Sequence, residues 1–414
     1  MPECRPFCGY FYNLEKVDLQ SVLAPPYDVV TQEEVIFYKN KSPYNIFHLE
    51  LPESPQKAKI LLESFLREGI LIQNQKPSIY YHETTFNYEG KDYLRKGLIL
   101  LVKLHEFSEE IIIPHERTFQ KVTNERFELL KSTSFQFSQI HSVYEDENLY
   151  LFRFLPSVRE FPFEVTLNET TQRLAKIQDP KVIEKITSFL RAKKLYIADG
   201  HHRYITALQY RSFMQKKIIS SKDLDFNYMA MYVSPLEDEN LLMLPTHRLY
   251  YSPPVDKFLE GIKNYTELLL SSCLSEAPNL LKSIAYQSEY FVLVHEERIF
   301  LYKFKRSFLD TLSSHEPELC HLPLFNFLKV FELALGILEA DLKDRKEVRF
   351  VPQLEEVLKE AKGEAFGILF PKVSAKILKL IANRGKLMPH KSTYFYPKIL
   401  TGMVISEISG KELP

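Results

Sequence analysis

Between Ser78 and Leu104 the sequence reads IYYHETTFNY, then Glu89-Gly90, then KDYLRKGLILLVKL. Two runs rich in aromatic and β-branched residues flank a short glycine-containing turn, which is the pattern of a β-hairpin. Further strands are expected at Leu195 to Ala198, Asn227 to Val233, Tyr290 to Val294, Ile299 to Phe304 and Ala365 to Phe370. Helices interrupt them. One starts at Asp179, because aspartate accepts the first free N–H groups and Pro180 suits the first helical position. Val182, Ile183, Ile186, Phe189 and Leu190 then give it one apolar face. Others are expected at Tyr204 to Met214, Leu354 to Lys362 and Val373 to Asn383, the last ending at a glycine signal, Arg384-Gly385. Hairpins mixed with helices predict an α+β fold with mixed sheets over a regular doubly wound sheet.

Of 414 residues, 45% are apolar and 26% charged, enough to build a sizeable core. Fifty-three Lys and Arg against 54 Asp and Glu leave a net charge of -1, which supplies no field to gather nucleic acid or acidic lipid. A nucleic-acid partner is not expected. No apolar run approaches the roughly 18 to 20 residues that cross a bilayer, so no membrane span is expected. The start, MPECRPFCGY, has no basic segment followed by an apolar one. A cytoplasmic location without disulfides is the expectation. Four cysteines, at positions 4, 8, 273 and 320, include one close pair with no second pair to complete a zinc site. Twelve scattered glycines form neither GxGxxG nor GxxxxGK[ST], so a phosphate site needs another device. GxSxG and HExxH are absent too, which removes the usual anchors of serine hydrolases and zincins. No repeat or linker marks a boundary; a soft cut separates 1–215 from 216–414, two α+β regions expected to share one cleft.

The densest polar constellation is LYIADGHHRY, Leu195 to Tyr204, a strand, a tight turn and a helix start. Gly200 permits a backbone conformation closed to other residues and lets the first helical N–H groups approach a phosphate, whose charge the helix dipole favours. His201, His202 and Arg203 add side-chain donors, and His202 can also move a proton. Asp199 can bind a divalent ion or orient a histidine; the alternative is a simple helix cap with surface histidines. Three further motifs pair histidine with cations and hydroxyls: His115-Glu116-Arg117-Thr118, Thr246-His247-Arg248 and His390-Lys391-Ser392-Thr393. Phosphoryl transfer wants such groups, with a carboxylate to take a proton. Glu116 is the candidate base, against an equally good reading as a surface pair with Arg117. Lys391 and Lys398 bracket Tyr394, Phe395 and Tyr396, rings that either stack on a base or pack into the core. Ala24-Pro25-Pro26-Tyr27-Asp28 is a stiff turn that fixes Tyr27 and Asp28, in a site or in a structural corner.

These segments resemble the ordered motifs of the DUF1015 family: RPF at Arg5, APPYDVV at Ala24, IIPHERT at Ile112, ADGHHRY at Ala198, LPTHR at Leu244 and MPHKSTYFYPK at Met388. The resemblance spans essentially the whole chain. Phe137-Ser138-Gln139-Ile140 stands where that pattern has Ser-Pro-Ile, and Cys320 and Phe325 stand where it has Asp and His, which points to a divergent member. The DGHHR box is in turn similar to that of the ParB/sulfiredoxin superfamily, which includes a free serine kinase. The resemblance implies a ParB/sulfiredoxin-like core with large insertions and nucleotide phosphates against Gly200, His201, His202 and Arg203. Arg117, His247, Arg248, Lys391, Ser392, Thr393 and Lys398 would add phosphate contacts. It also implies ATP or ADP with Mg2+ held through Asp199, Glu116 or Asp199 as base, and Tyr27, Asp28 and His115 at the substrate. Sulfiredoxin's box carries cysteine where this chain has histidine, so peroxiredoxin repair is not expected. The expected activity is nucleotide-dependent phosphorylation of a small hydroxyl-bearing metabolite. The alternatives are a non-catalytic nucleotide-binding switch or adaptor, and a metal-dependent hydrolase using His115, Glu116, His201 and His202.

Overall fold

A computed structural model describes residues 1–116, 120–155, 160–220, 222–343 and 346–413. The chain divides into two compact units, the first comprising Met1–Pro114, Thr118–Leu241 and Pro397–Pro414, the second His115–Arg117 and Leu242–Tyr396. The class is α+β, as the alternation of hairpins and helices predicts.

In unit 1 the expected hairpin forms from Ile79–Tyr88 and Lys91–Lys103. Glu89 and Gly90 both take positive φ, the turn whose twist matches that of the flanking strands. The hairpin sits inside a nine-stranded sheet. Along it run Ile112–Ile113, Leu195–Asp199, Ile140–Tyr144, Tyr228–Pro235, Lys91–Lys103, Ile79–Tyr88, Thr170–Ile177 and Phe163–Leu167, with Cys4–Arg5 added against Lys91–Lys103. Strand residues alternate faces, and both faces are covered. Tyr80, Ile99 and Ala230 pack with Tyr38, Leu62 and Phe65 of the N-terminal helices. Tyr81, Leu98 and Met231 pack with Ile186, Leu190 and Tyr204 of the helices Pro180–Arg191 and His201–Lys217. Asp179 caps the first of these as expected, its Oδ1 accepting from the Lys181 N–H at 2.8 Å.

The expected boundary after residue 215 falls inside this unit. Strand Tyr228–Pro235 pairs with both Lys91–Lys103 and Ile140–Tyr144, so cutting before it would split the sheet. The C-terminal residues also return here: Ser406–Glu407 pairs with Phe135–Gln136, and Thr401 bridges Ala24.

Gly97 marks a tight point in the same sheet. A Cβ there would lie 2.3 Å from the Tyr232 ring, a separation that real Cβ atoms do not reach. Gly97→Ala therefore has to displace a fully buried tyrosine. The expected cost is about 1–3 kcal/mol, read as a lower urea midpoint at unchanged slope; an unaltered midpoint would remove this account of the glycine.

Unit 2 is built on an antiparallel six-stranded sheet in the order Thr266–Cys273, Arg298–Phe304, Tyr290–His295, Phe366–Leu369, His247–Tyr250 and Val348–Val351. Phe258, Phe327 and Phe331 from Val255–Ile262 and Pro323–Leu335 cover one face, while Ala277, Ile284 and Val357 cover the other. The aromatic run Thr393–Tyr396 forms a separate two-stranded ribbon with Leu242–Pro245. Its period-2 alternation turns Phe395 inward at 1% exposure and leaves Tyr394 and Tyr396 half-buried. No helix among the described residues is long and apolar enough to cross a membrane.

Candidate functional site

Strand Leu195–Asp199 ends opposite His141, and the chain turns at Gly200 with φ +94° before helix His201–Lys217. Two constraints converge on this glycine. The left-handed backbone disfavours any side chain, and a Cβ would come within 3.0 Å of Arg203 Nε and Nη2. The helix begins three residues earlier than Tyr204, so His201, His202 and Arg203 form its first turn, where the dipole is positive. Gly200 at the cap position has no side chain with which to cap this end. His201 is buried and His202 half-buried.

Arg203 folds back under the turn. Its Nη2 donates to Asp199 Oδ2 at 2.7 Å and its Nη1 to the Gln139 carbonyl. The other Asp199 oxygen accepts from Lys398 Nζ. Burial opposes the arginine's charge, but Asp199, then Asp28, Tyr27 and Glu50, outweigh it and hold its pKa above the ordinary value. Both oxygens of Asp199 are thus bound by cations, which does not suit the expected roles as magnesium ligand or base. Lys398 is likewise held by a carboxylate, where a phosphate contact was expected.

Beside Arg203 lies a cavity lined by Glu50, Arg126, Ser138, Thr206 and apolar residues including Phe137 and Met229. It has room for a few waters, about 40 Å³, within about 360 Å³ of empty space that opens to solvent. Arg126, on helix Gln120–Thr133, donates to the Glu50 carbonyl at 2.6 Å, lies 3.6 Å from Glu50 Oε1, and stacks 4.5 Å over the Tyr27 ring. Burial raises the pKa of Tyr27, helped by neighbouring Asp28. Glu50 is 4% exposed. Burial drives its pKa up, and the charges of Arg126 and Arg203 with a Ser138 hydrogen bond reverse only part of that. Glu50 and Arg126 carry no sequence motif, and the reading from sequence misses both. Tyr27 and Asp28, which that reading does select, are electrostatic neighbours of Arg203.

Unit 2 gathers the remaining motifs. Glu116 Oε1 accepts the Lys391 N–H at 3.1 Å and lies 3.1 Å from His390 Nδ1, while His115 Nε2 meets Thr393 Oγ1 at 3.1 Å. Ser392 donates to the Pro389 carbonyl. Arg248 is fully buried and clamps the same segment: Nε donates to Glu339 Oε1 at 3.0 Å, Nη1 to the carbonyls of Thr246 and Lys391, and Nη2 to that of His390. Its donors serve the fold, which corrects the expected phosphate contact. His247 Nδ1 accepts the Phe370 N–H at 3.1 Å, and burial, with Arg248 nearby, lowers its pKa to about 3. A histidine neutral at pH 7 does not provide the expected cation. Arg117 lies outside the described residues. Among the described residues, no group of three or more His, Cys, Asp or Glu is placed to hold a metal.

The molecule is thus an α+β protein with a strand–glycine–helix turn backed by a buried arginine, Arg203. Residues 4–329 match the family model described as protein of unknown function DUF1015, and the chain belongs to that family. No curated protein matches its sequence. Among solved structures it has distant similarity to a point mutant of free serine kinase in complex with ADP, at 12% identity and TM-score 0.38 over 72% of this chain and 86% of that one. SbnI with a C-terminal truncation, from Staphylococcus aureus, gives 9% identity and TM-score 0.37 over 73% and 85%. A conserved hypothetical protein from Pyrococcus furiosus gives 13% and 0.34 over 73% and 92%.

Proposed function

We propose that unit 1 is a nucleotide-dependent phosphotransferase that phosphorylates a small hydroxyl-bearing metabolite. One observation carries this reading: Arg203, Arg126 and the buried carboxyl of Glu50 line a single cavity beside the Gly200 turn. Two guanidinium groups in a partly enclosed recess balance the charge of a transferring phosphoryl group better than they would in bulk water. The helix start adds favourable potential for the nucleotide's phosphates. Glu50, buried next to them, takes the acceptor's proton, the part the sequence offers to Glu116. The acceptor oxygen forms the new P–O bond as the nucleotide's terminal P–O bond breaks. The leaving nucleotide keeps that bond's electron pair, and the hydroxyl proton passes to Glu50.

Magnesium would reach this site on the phosphates of ATP or ADP, as is usual for that ion, because Asp199 is already bound by Arg203 and Lys398. The test is incubation of the full chain with ATP or ADP, magnesium and a panel of small alcohols and hydroxy acids, followed by phosphorus NMR. A new phosphate ester is expected. Nucleotide binding without an ester would favour the switch or adaptor reading, and neither binding nor ester would end both.

A further inference from the structure

The outermost strand of the unit 2 sheet, Thr266–Cys273, pairs with Arg298–Phe304, and among the described residues no strand lies on its other side. Leu268, Leu269 and Leu270 follow one another along it at 53%, 51% and 47% exposure. Eight residues without a lysine or a proline make an open edge of the kind that sheets normally guard against. The opposite edge of the same sheet is guarded: Val348–Val351 has four residues, and its Arg349 is held by Glu356 and Glu360. Backbone groups facing outward beside three half-exposed leucines select another strand as their cover.

The register of the edge identifies that strand. Leu269 is an extra residue in the ladder, with Leu268 facing Tyr302 and Leu270 facing Leu301. Leu268 and Ser271 therefore lie on one face with Tyr302 and Phe300, and Glu267, Leu270 and Ser272 on the other with Lys303, Leu301 and Ile299. Turning a second copy through a two-fold axis between Leu269 and Leu270 pairs Thr266 with Cys273, Glu267 with Ser272, Leu268 with Ser271, and Leu269 with Leu270. The first three pairs each join residues of the same face, and all eight residues of both strands are used. Charges agree with this arrangement. Glu267 meets a hydroxyl, whereas parallel pairing in register would set it against a second Glu267. Exposed Lys263, which pairs with Glu260 in its own chain, comes to the same end as exposed Glu276 of the other copy, and the two-fold axis repeats this at the far end.

We propose that the chain forms a two-fold dimer by antiparallel pairing of Thr266–Cys273 with the same strand of a second copy. The pairing closes on itself, because each copy covers the other's open edge and the guarded opposite edge does not extend the sheet. A ladder of eight residues is about 27 Å long. At one strand's thickness it falls short of the roughly 800 Å² per partner of a standard interface, so the dimer is a weak one that dissociates on dilution. This goes beyond the phosphotransfer reading and involves none of its residues.

Sedimentation velocity of the full chain, diluted from about 200 to about 1 μM, reads the association without nucleotide. The average mass is expected to fall from near that of two chains toward that of one. Leu269→Lys puts a charge at the centre of the pair on an exposed position, and should weaken the dimer at least tenfold with the urea midpoint unchanged. Position 272 tests the register. Ser272→Lys, opposite Glu267 of the other copy, should tighten the dimer about twofold or more, and Ser272→Glu should weaken it by as much. If Leu269→Lys lowers the midpoint, the opposed effects of the two Ser272 variants carry the test alone. A single-chain mass at every concentration, growth beyond two chains, a dimer indifferent to a folded Leu269→Lys, or the same response to both Ser272 variants would overturn the proposal. None of these results bears on the nucleotide assay.

Discussion

Replacing Arg203 by methionine is expected to weaken nucleotide binding at least a hundredfold and to destabilise unit 1 by about 3–5 kcal/mol. Both effects have one origin. Arg203 is 8% exposed, and Asp199, Asp28, Tyr27 and Glu50 all act on its charge. Methionine fills most of the same space and leaves those groups without the shared cation. A buried carboxylate stripped of its partner is costlier than a pair that was never built. Asp199 keeps Lys398 and Glu50 keeps Arg126, so the unit should still fold. Arg203→Lys separates the two roles. Lysine restores a charge but cannot donate at once to the Gln139 carbonyl and to Asp199 as the guanidinium does. It should recover most of the stability and little of the binding. Urea midpoints and titration with a fluorescent nucleotide analogue measure the two effects, and a methionine variant that binds nucleotide normally would refute the assignment of Arg203.

What the sequence disclosed, and what it withheld, follows from the range over which each feature is encoded. The Ile79 hairpin, the Asp179 cap and the Gly200 turn are written in consecutive residues, where propensity and steric limits act directly. The α+β class is legible for the same reason. Glu50 and Arg126 stand 76 positions apart, in helices whose sequences carry no unusual spacing, and only tertiary packing makes them neighbours. A lone Glu after Phe47-His-Leu looks like a helix end. Composition also misleads where a basic residue is structural. Thr246-His247-Arg248 reads as an anion site, yet burial neutralises the histidine and backbone carbonyls take the arginine. The 215/216 cut fails because sheet pairing is non-local: the strand after it belongs between two strands far before it.

Glu50→Gln is expected to reduce turnover by about 10²–10⁴-fold, the usual contribution of a positioned proton acceptor, with nucleotide affinity nearly unchanged. The amide has the same shape but cannot take the acceptor's proton. A pH series makes the prediction specific. Burial raises the Glu50 pKa above its ordinary value near 4.5, so the folded state binds this proton more tightly than the unfolded chain does. Its contribution to stability is therefore largest in acid, and it declines as pH rises from about 4.5 through the elevated folded pKa, then stays level. Turnover runs the other way: only the ionised carboxylate accepts a proton, so activity climbs through that same folded pKa. Glu50→Gln should erase both dependences, leaving a stability curve without that decline and a small residual rate without the acid limb. Glu116→Gln serves as the contrast. Its side chain holds the Lys391 N–H, which an amide oxygen can also do, so turnover should fall less than about tenfold, the loss of an ordinary hydrogen bond. If Glu116→Gln instead proves the more damaging of the two, or if Glu50→Gln retains the wild-type acid limb, the proton acceptor is not Glu50 and the chemistry has to be built around unit 2.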